Sequence, residues 1–205
     1  MEQNIEHQIV EAARKMFLKK GFENVNMADI AAEVGLTRPA MHYYFRTKER
    51  LFQAVFGDIL MSFLPAVSDI ISSDLPLEEK LERITDKYLT ILNDNPCLPL
   101  FLINETQRDI EGFVRMAMSN DVALMGAKVF DAFAQEMAAG RIRKVPQAEI
   151  FFTFYGLVTF PYISRRISSE VFGQENVDII IREKWRNDVV HHMMLLLSPN
   201  NEQTK

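Results

Sequence analysis

A single cysteine, Cys97, in 205 residues rules out an intramolecular disulfide and any zinc site built on cysteine pairs. Glycine and proline are sparse, eight of each, beside 48% apolar and 25% charged residues. That balance excludes fibrous and disordered classes and leaves an ordinary globular chain, long enough to bury a core. Sustained apolar–polar alternation is absent too, so the sequence predicts an all-α protein. The least polar run, Ile150 to Ser164, is uncharged for fifteen residues and holds Gly156 and Pro161. A membrane span needs about 20 apolar residues, so this run reads as a buried helix. The opening MEQNIEHQIVEAARKMF begins acidic and lacks the apolar centre of a signal peptide, which predicts a cytoplasmic protein with no membrane partner. No nucleophile elbow, P-loop, dinucleotide-binding glycine pattern or HExxH motif occurs, so no enzymatic activity, cofactor or metal is expected. His191 and His192 are adjacent and point about 100° apart on a helix, a poor chelating pair. Cys97, between Pro96 and Leu98-Pro99, has two readings, inert packing or a thiol that senses oxidants.

The net charge of −5 at first argues against a nucleic-acid partner. It is unevenly spread: the first fifty residues carry eight basic and seven acidic side chains, for +1, and the remainder carries −6. Phosphate binding needs only a local basic face, so the global charge decides nothing.

Within those fifty residues Ile5, Ile9, Ala12, Ala13, Met16 and Phe17 recur at helical spacing. Lys19-Lys20-Gly21-Phe22 supplies basic residues and a glycine stop. Asn26, with Asp29 three residues on, starts a second short helix, on which Ile30, Ala31 and Val34 face inward and which Gly35 ends. Thr37 caps a third helix, Pro39 suits its first turn, and Met41, Tyr44 and Phe45 point inward. Thr47 caps a fourth, striped by Leu51, Phe52, Val55, Phe56, Ile59 and Leu60. Two short helices around a glycine-bearing turn make a helix-turn-helix. Small Ala31 and Ala32 allow the two to pack closely.

The string GFENVNMADIAAEVGLTRPAMHYYFRTKERLFQAV resembles the DNA-binding domain of the TetR (tetracycline-repressor, AcrR-like) family. The matching positions are Gly21, Phe22, Ile30, Ala31, Gly35, Tyr43, Tyr44, Phe45, Lys48 and Leu51. Met27 departs from the pattern, standing where the family often has a small hydroxyl residue that reaches a phosphate. The resemblance covers the first quarter of the chain. It implies a bacterial transcription regulator, expected to repress, that binds double-stranded DNA as a homodimer on a palindromic operator and is released by a small-molecule effector. The third helix would enter the major groove. Arg38 can grip guanine O6 and N7 with two hydrogen bonds, or clamp a phosphate. Ala40 can touch a thymine methyl, and His42 a base or a phosphate. Thr37, Tyr43 and Lys48 resemble the family's phosphate contacts, which set register without reading sequence. Pro39 and Tyr44 complete the expected DNA-binding set.

The expected domains are residues 1–47 for DNA, 48–198 for ligand binding and dimerisation, and a tail at 199–205. Prolines and caps predict helices from Pro76 to Asp94, Leu98 to Arg108, Asn120 to Ala139, Pro146 to about Ser168, and Asn176 to Leu197. Apolar residues surround the helix after Pro146 on nearly every side, which predicts burial partly outside its own domain. The resemblance implies that the last two helices pair with their copies, and Phe151, Phe154, Val158, Trp185, Val189 and Met193 are the expected dimer residues. Fifteen Phe and eleven Met suit an adaptable apolar pocket or a plain core. The expected ligand set is Phe101, Asn104, Glu105, Arg108, Met125, Phe133, Tyr155 and Thr159. A ligand-independent regulator, and a helical adaptor whose helix-turn-helix binds protein, remain the alternatives. Operator position decides activation or repression.

Overall fold

The computed structural model describes residues 2–118 and 120–199, with the side chains of 2–4, 105, 113, 116, 117 and 120–122 outside that description. Asn200 onward, most of the expected tail, lies outside the described residues. Every regular element described is helical. Contacts divide the chain into two compact units, Met1–Ser62 with Leu100–Ala123, and Phe63–Pro99 with Leu124–Lys205. The division by packing therefore falls at Ser62, one helix beyond the sequence boundary at 47, and the first unit takes in a later segment.

The first unit holds α1 (Glu2–Lys20), α2 (Met27–Glu33), α3 (Arg38–Tyr44) and α4 (Lys48–Met61). To these it adds most of α7 (Leu98–Arg108) and all of α8 (Ile110–Ala117). α1 packs on α4 and α2, α2 on α3, and α4 on α8. Its centre is aromatic. Phe22 stacks on Phe17 at 5.7 Å and meets the Phe52 ring edge-on at 5.3 Å, and Phe101 lies 5.6 Å from Phe52. Edge-to-face pairs of this kind add to what area burial alone supplies.

The second unit holds α5 (Leu64–Ser72), α6 (Leu77–Asp94), α9 (Asn120–Ala138, from Leu124 on), α10 (Gln147–Ile163), α11 (Arg165–Phe172), α12 (Gln174–Ile179) and α13 (Trp185–Leu197). α6 is its axis, packed against α5, α10 and α13, and it buries Leu81, Ile84, Thr85, Tyr88, Leu89 and Leu92 on one face. The α9 end is closed by Gly140 at φ +68°. There Gly140 N donates to Met137 O and Arg141 N to Glu136 O, a Schellman cap. The same turn brings Arg141 onto Glu136 through two hydrogen bonds, 2.8 and 3.0 Å. Buried Lys80 of α6 reaches Glu136 at 3.2 Å. Arg141 first, then Lys80, hold the Glu136 carboxyl below its ordinary range. α9 is thereby tied to α6.

Three features escaped the sequence reading. α5 is a separate helix, α8 is present, and the helix expected to run to Ser168 stops at Ile163. The segment Lys48–Ser72 is long and apolar enough to cross a membrane by length and composition. It contains two helices, and Leu51, Phe52, Val55, Phe56, Ile59, Val67 and Ile71 within it are buried in the fold.

Between α12 and α13 lies a π-helical turn, Ile180–Lys184. Its extra residue advances the register, and the next side chain, Trp185, donates its indole N–H to Leu157 O of α10 at 2.8 Å. That carbonyl needs a partner because Pro161, four residues on in the same helix, has no N–H to offer it. The π turn and the internal proline are thus answers to each other. By contrast Thr85 Oγ1 is fully buried with no hydrogen-bond partner. We expect Trp185→Phe to lower stability by about 1–3 kcal/mol, the cost of an unpaired buried carbonyl. Thr85→Val should raise it by about 1 kcal/mol, since shape is kept and an unsatisfied hydroxyl is removed. Thermal unfolding of the two variants checks both signs, and a stabilised Trp185 variant or a destabilised Thr85 variant would contradict the pairing described.

Candidate nucleic-acid interface and effector cavity

α3 is seven residues long, too short to stand alone in water, so its position is set by neighbours. Before it, α2 is opened by Asn26, whose side chain accepts from Asp29 N at 2.9 Å. The corner that follows is again a Schellman cap. Leu36 N donates to Ala31 O at 2.8 Å, Gly35 N donates to Ala32 O at 3.2 Å, and Gly35 sits at φ +70°, which glycine alone adopts without strain. Thr37 then caps α3, its Oγ1 accepting from Ala40 N at 3.4 Å. Met41 and Phe45 are the anchors, both buried.

This leaves one side of α3 in solvent. Arg38 and Pro39 are exposed, Ala40, His42 and Tyr44 are half-buried, and Tyr43 is 75% exposed with its ring edge-to-face on Tyr44 at 5.3 Å. Tyr44 lies less deep than the inward position expected of it. His42 Nδ1 pairs with Arg46 O at 3.2 Å; since a carbonyl only accepts, that nitrogen carries the proton. Lys48 has a role the sequence did not suggest. Its Nζ donates to Phe22 O at 2.8 Å and Val25 O at 2.9 Å and lies 4.2 Å from the Phe22 ring centre. Two of its three protons thus hold the α1–α2 turn against α4. Arg108 of α7 takes the same ring, 3.9 Å from its centre, and pairs with Glu23.

In the second unit α5, α6, α9, α10 and α13 line a partly open cavity of about 210 Å³. Its wall is apolar apart from Tyr88, Tyr155 and Gln147. The tyrosine hydroxyls of α6 and α10 meet at 2.8 Å, and burial raises the pKa of both. Among the described residues no three His, Cys, Asp or Glu side chains are grouped to hold a metal.

Of the expected ligand residues, Phe133 and Tyr155 stand on this wall. Met125 precedes the wall residue Gly126 without lining the cavity, and Thr159 turns back to Tyr155 O at 2.6 Å. Phe101 and Arg108 instead pack on Phe52 and Phe22 of the first unit, and Asn104 is exposed there. α7 crosses from one unit to the other, so its polar residues do not converge on the void as expected. The Glu105 side chain lies outside the described residues. The expected dimer set needs a similar correction. Phe154, Val158, Val189 and Met193 are buried within their own unit, and Trp185 is committed to Leu157. Side chains already buried inside one chain cannot also face another. Phe151 is partly exposed and lines the cavity. Tyr88, Phe130 and Gln147 are wall residues that sequence reasoning missed.

A capped short helix, anchored from beneath and open along its first turn, on a glycine corner, defines a helix-turn-helix, and the regular elements described in the second unit are all helical. Residues 9–55 match the family of bacterial regulatory proteins, tetR family, and the match is confined to this domain. The regulator TtgR of Pseudomonas putida is 40% identical over 52 residues, 25% of this chain and 25% of that protein. The chain thus aligns with a quarter of that relative's length. Over the whole chain the likeness is one of fold. A TetR-family transcriptional regulator from Mesorhizobium loti superposes with a TM-score of 0.67 at 17% identity, over 96% of this chain and 98% of that one. FadR of Bacillus subtilis, in complex with stearoyl-CoA, does so with a TM-score of 0.59 at 16% identity, over 94% and 98%.

The geometry at Lys48 separates two roles. If its ammonium serves the turn, Lys48→Met should cost about 1.5–3 kcal/mol of stability, as hydrogen bonds to charged groups do. The salt slope of DNA binding should then stay put, whereas loss of a phosphate contact would lower it by about 0.9. An unchanged melting temperature with a reduced slope would assign Lys48 to DNA instead.

Proposed function

We propose that the protein is a sequence-specific DNA-binding transcription regulator, acting as a repressor on a palindromic operator as a homodimer and released by a small, largely apolar effector. The observation that carries the DNA-binding part is the open first turn of α3. Thr37, Arg38, Pro39 and Ala40 stand at its solvent end, where a recognition helix meets base edges. Arg38 is the base reader in this reading, Tyr43 and Thr37 hold phosphates, and His42 reaches a base or a phosphate. One such helix contacts too few base pairs for useful discrimination, which favours two heads on one operator.

The residues for pairing two chains lie on the outer stripe of α10 rather than on its core face. Phe152 and Phe160 are 70% and 64% exposed. Gly156, midway between them at i, i+4, i+8 spacing, is exposed with open space at its Cβ position. Two large rings around a gap suit a helix from a second copy. The effector role rests on the cavity, and it is supported by the fold neighbour that holds stearoyl-CoA. α9 forms part of the cavity wall and runs across the boundary at Ala123 into the first unit. α5, also on the wall, follows α4 after Ser62 and Phe63. An effector that prefers one arrangement of α9 and α5 would shift the population of chains whose reading heads fit successive grooves.

Selection of bound fragments from a genomic library by the purified protein tests the reading. A shared palindrome should emerge, and Arg38→Ala should weaken it by about 1–3 kcal/mol and relax one base position in each half-site. Failure to enrich any sequence would favour the adaptor alternative. For the dimer, Phe152→Glu with Phe160→Glu should halve the mass in sedimentation while keeping the helical signal; an undiminished mass would place the interface elsewhere.

A further inference from the structure

The cavity wall specifies its ligand more narrowly than "apolar". Three polar side chains reach it, and two groups among them are already committed. Gln147 donates its amide N–H to Phe130 O at 3.1 Å, and one tyrosine hydroxyl donates to the other. Two hydroxyls carry two protons and their mutual bond uses one, so the pair retains one O–H. Among the described residues neither hydroxyl has another partner. The rings that carry them are fixed: Tyr88 is edge-on to Phe154 at 5.0 Å, and Tyr155 lies 4.5 Å from Phe151. No Lys, Arg or His stands on the wall. A carboxylate or phosphate held against that wall would lose hydration with no cation to replace it. An ammonium would fare no better, since the wall carries no acid. The volume, about 210 Å³, exceeds the roughly 150 Å³ that accommodates benzene in an apolar protein cavity.

We propose that the effector is an uncharged compound, one ring or so in size, with a single hydrogen-bond acceptor oxygen that takes the free proton of the Tyr88–Tyr155 pair. This rests on the effector role proposed above. Burial keeps both hydroxyls protonated, so the pair presents a neutral donor across the physiological pH range. Because one tyrosine is on α6 and the other on α10, the acceptor joins a hydrogen-bonded bridge between those helices.

Three probes of nearly equal shape isolate the recognition: acetophenone, the hydrocarbon cumene, and benzoate. Calorimetric titration of the full chain without DNA should show acetophenone and cumene binding and benzoate giving no heat. In Tyr88→Phe with Tyr155→Phe, acetophenone should weaken about tenfold while cumene stays within about twofold, since one hydrogen bond is lost and no shape changes. Removing both hydroxyls leaves no orphan, so the variant should keep the fold, as its melting temperature will show. Gly126→Leu, whose added Cβ meets nothing within 4 Å, should fill the void and abolish binding of both neutral probes. Benzoate binding as well as acetophenone overturns the proposal. So does an acetophenone affinity unmoved by the double variant, an equal loss for cumene, or no binding by any probe. Operator affinity at saturating acetophenone is read separately. If it is unchanged while the calorimetric pattern holds, the effector role falls and the ligand chemistry stands.

Discussion

A helix of seven residues forms a single turn's worth of internal hydrogen bonds, and the entropy of nucleating it exceeds what those bonds return. α3 therefore exists only as far as the first unit holds it, and most of that unit can be read as the means. The glycine corner fixes its direction and Thr37 supplies the missing acceptor at its start. Met41 and Phe45 nail its inner side to the core. Lys48 acts from the next helix, closing the carbonyls of the α1–α2 turn that lies behind the corner. The exposed first turn can then be spent entirely on contacts outside the molecule. Arg38, Pro39 and Tyr43 stand in solvent, and the anchors Met41 and Phe45 are buried beneath them.

The second unit shows the opposite economy, with polar groups buried wherever a helix departs from regular geometry. Pro161 orphans Leu157 O, and a π turn on a neighbouring helix swings Trp185 to it. Glu136 sits at the end of α9 under two cations. Its lowered pKa means that the clamp contributes to stability above the ordinary carboxylate range and loses that contribution as pH falls through the folded value. α9 is therefore tethered at its C-terminal end, near Arg141, while its earlier part, from Gly126 to Phe133, forms cavity wall.

Local chemistry was the legible part of the sequence. Asn26, Gly35, Thr37 and Thr47 each act through bonds to residues within five positions, so their roles could be named from spacing alone, and the structure shows them at those places. Side-chain destinations beyond the local turn were not legible. Periodicity says that Phe154 and Val189 leave water; it does not say whether their own chain or a second one covers them. The same limit misplaced Phe101 and Arg108, whose partners, Phe52 and Phe22, are far away in sequence. α5 has no side-chain cap, and its one start signal is the first-turn proline, Pro65, which the apolar run continuing from α4 masks. The extra residue of the π turn changes the apolar pattern only by a shift of phase, which an imperfect stripe conceals. Lys48 was seen as a cation at a helix start, where phosphate is the simplest partner; carbonyls 23 and 26 residues earlier cannot be inferred from position.

The cavity itself argues against being ordinary core. Unfilled apolar volume costs about 24 cal/mol per Å³ in buried sites, so whatever part of this cavity of about 210 Å³ is closed to water weakens the fold. Simple packing would remove that cost: Gly126 has open space where any side chain would stand, and a larger residue there would favour the helix as well as fill the hole. The tyrosine pair points the same way. Two phenylalanines would fill the same space without polar atoms to satisfy, whereas two hydroxyls leave a proton unused. A wall that keeps both a hole and a spare donor is poorly explained by stability and well explained by a guest. A guest seated there would touch both α9 and α5, which share the wall.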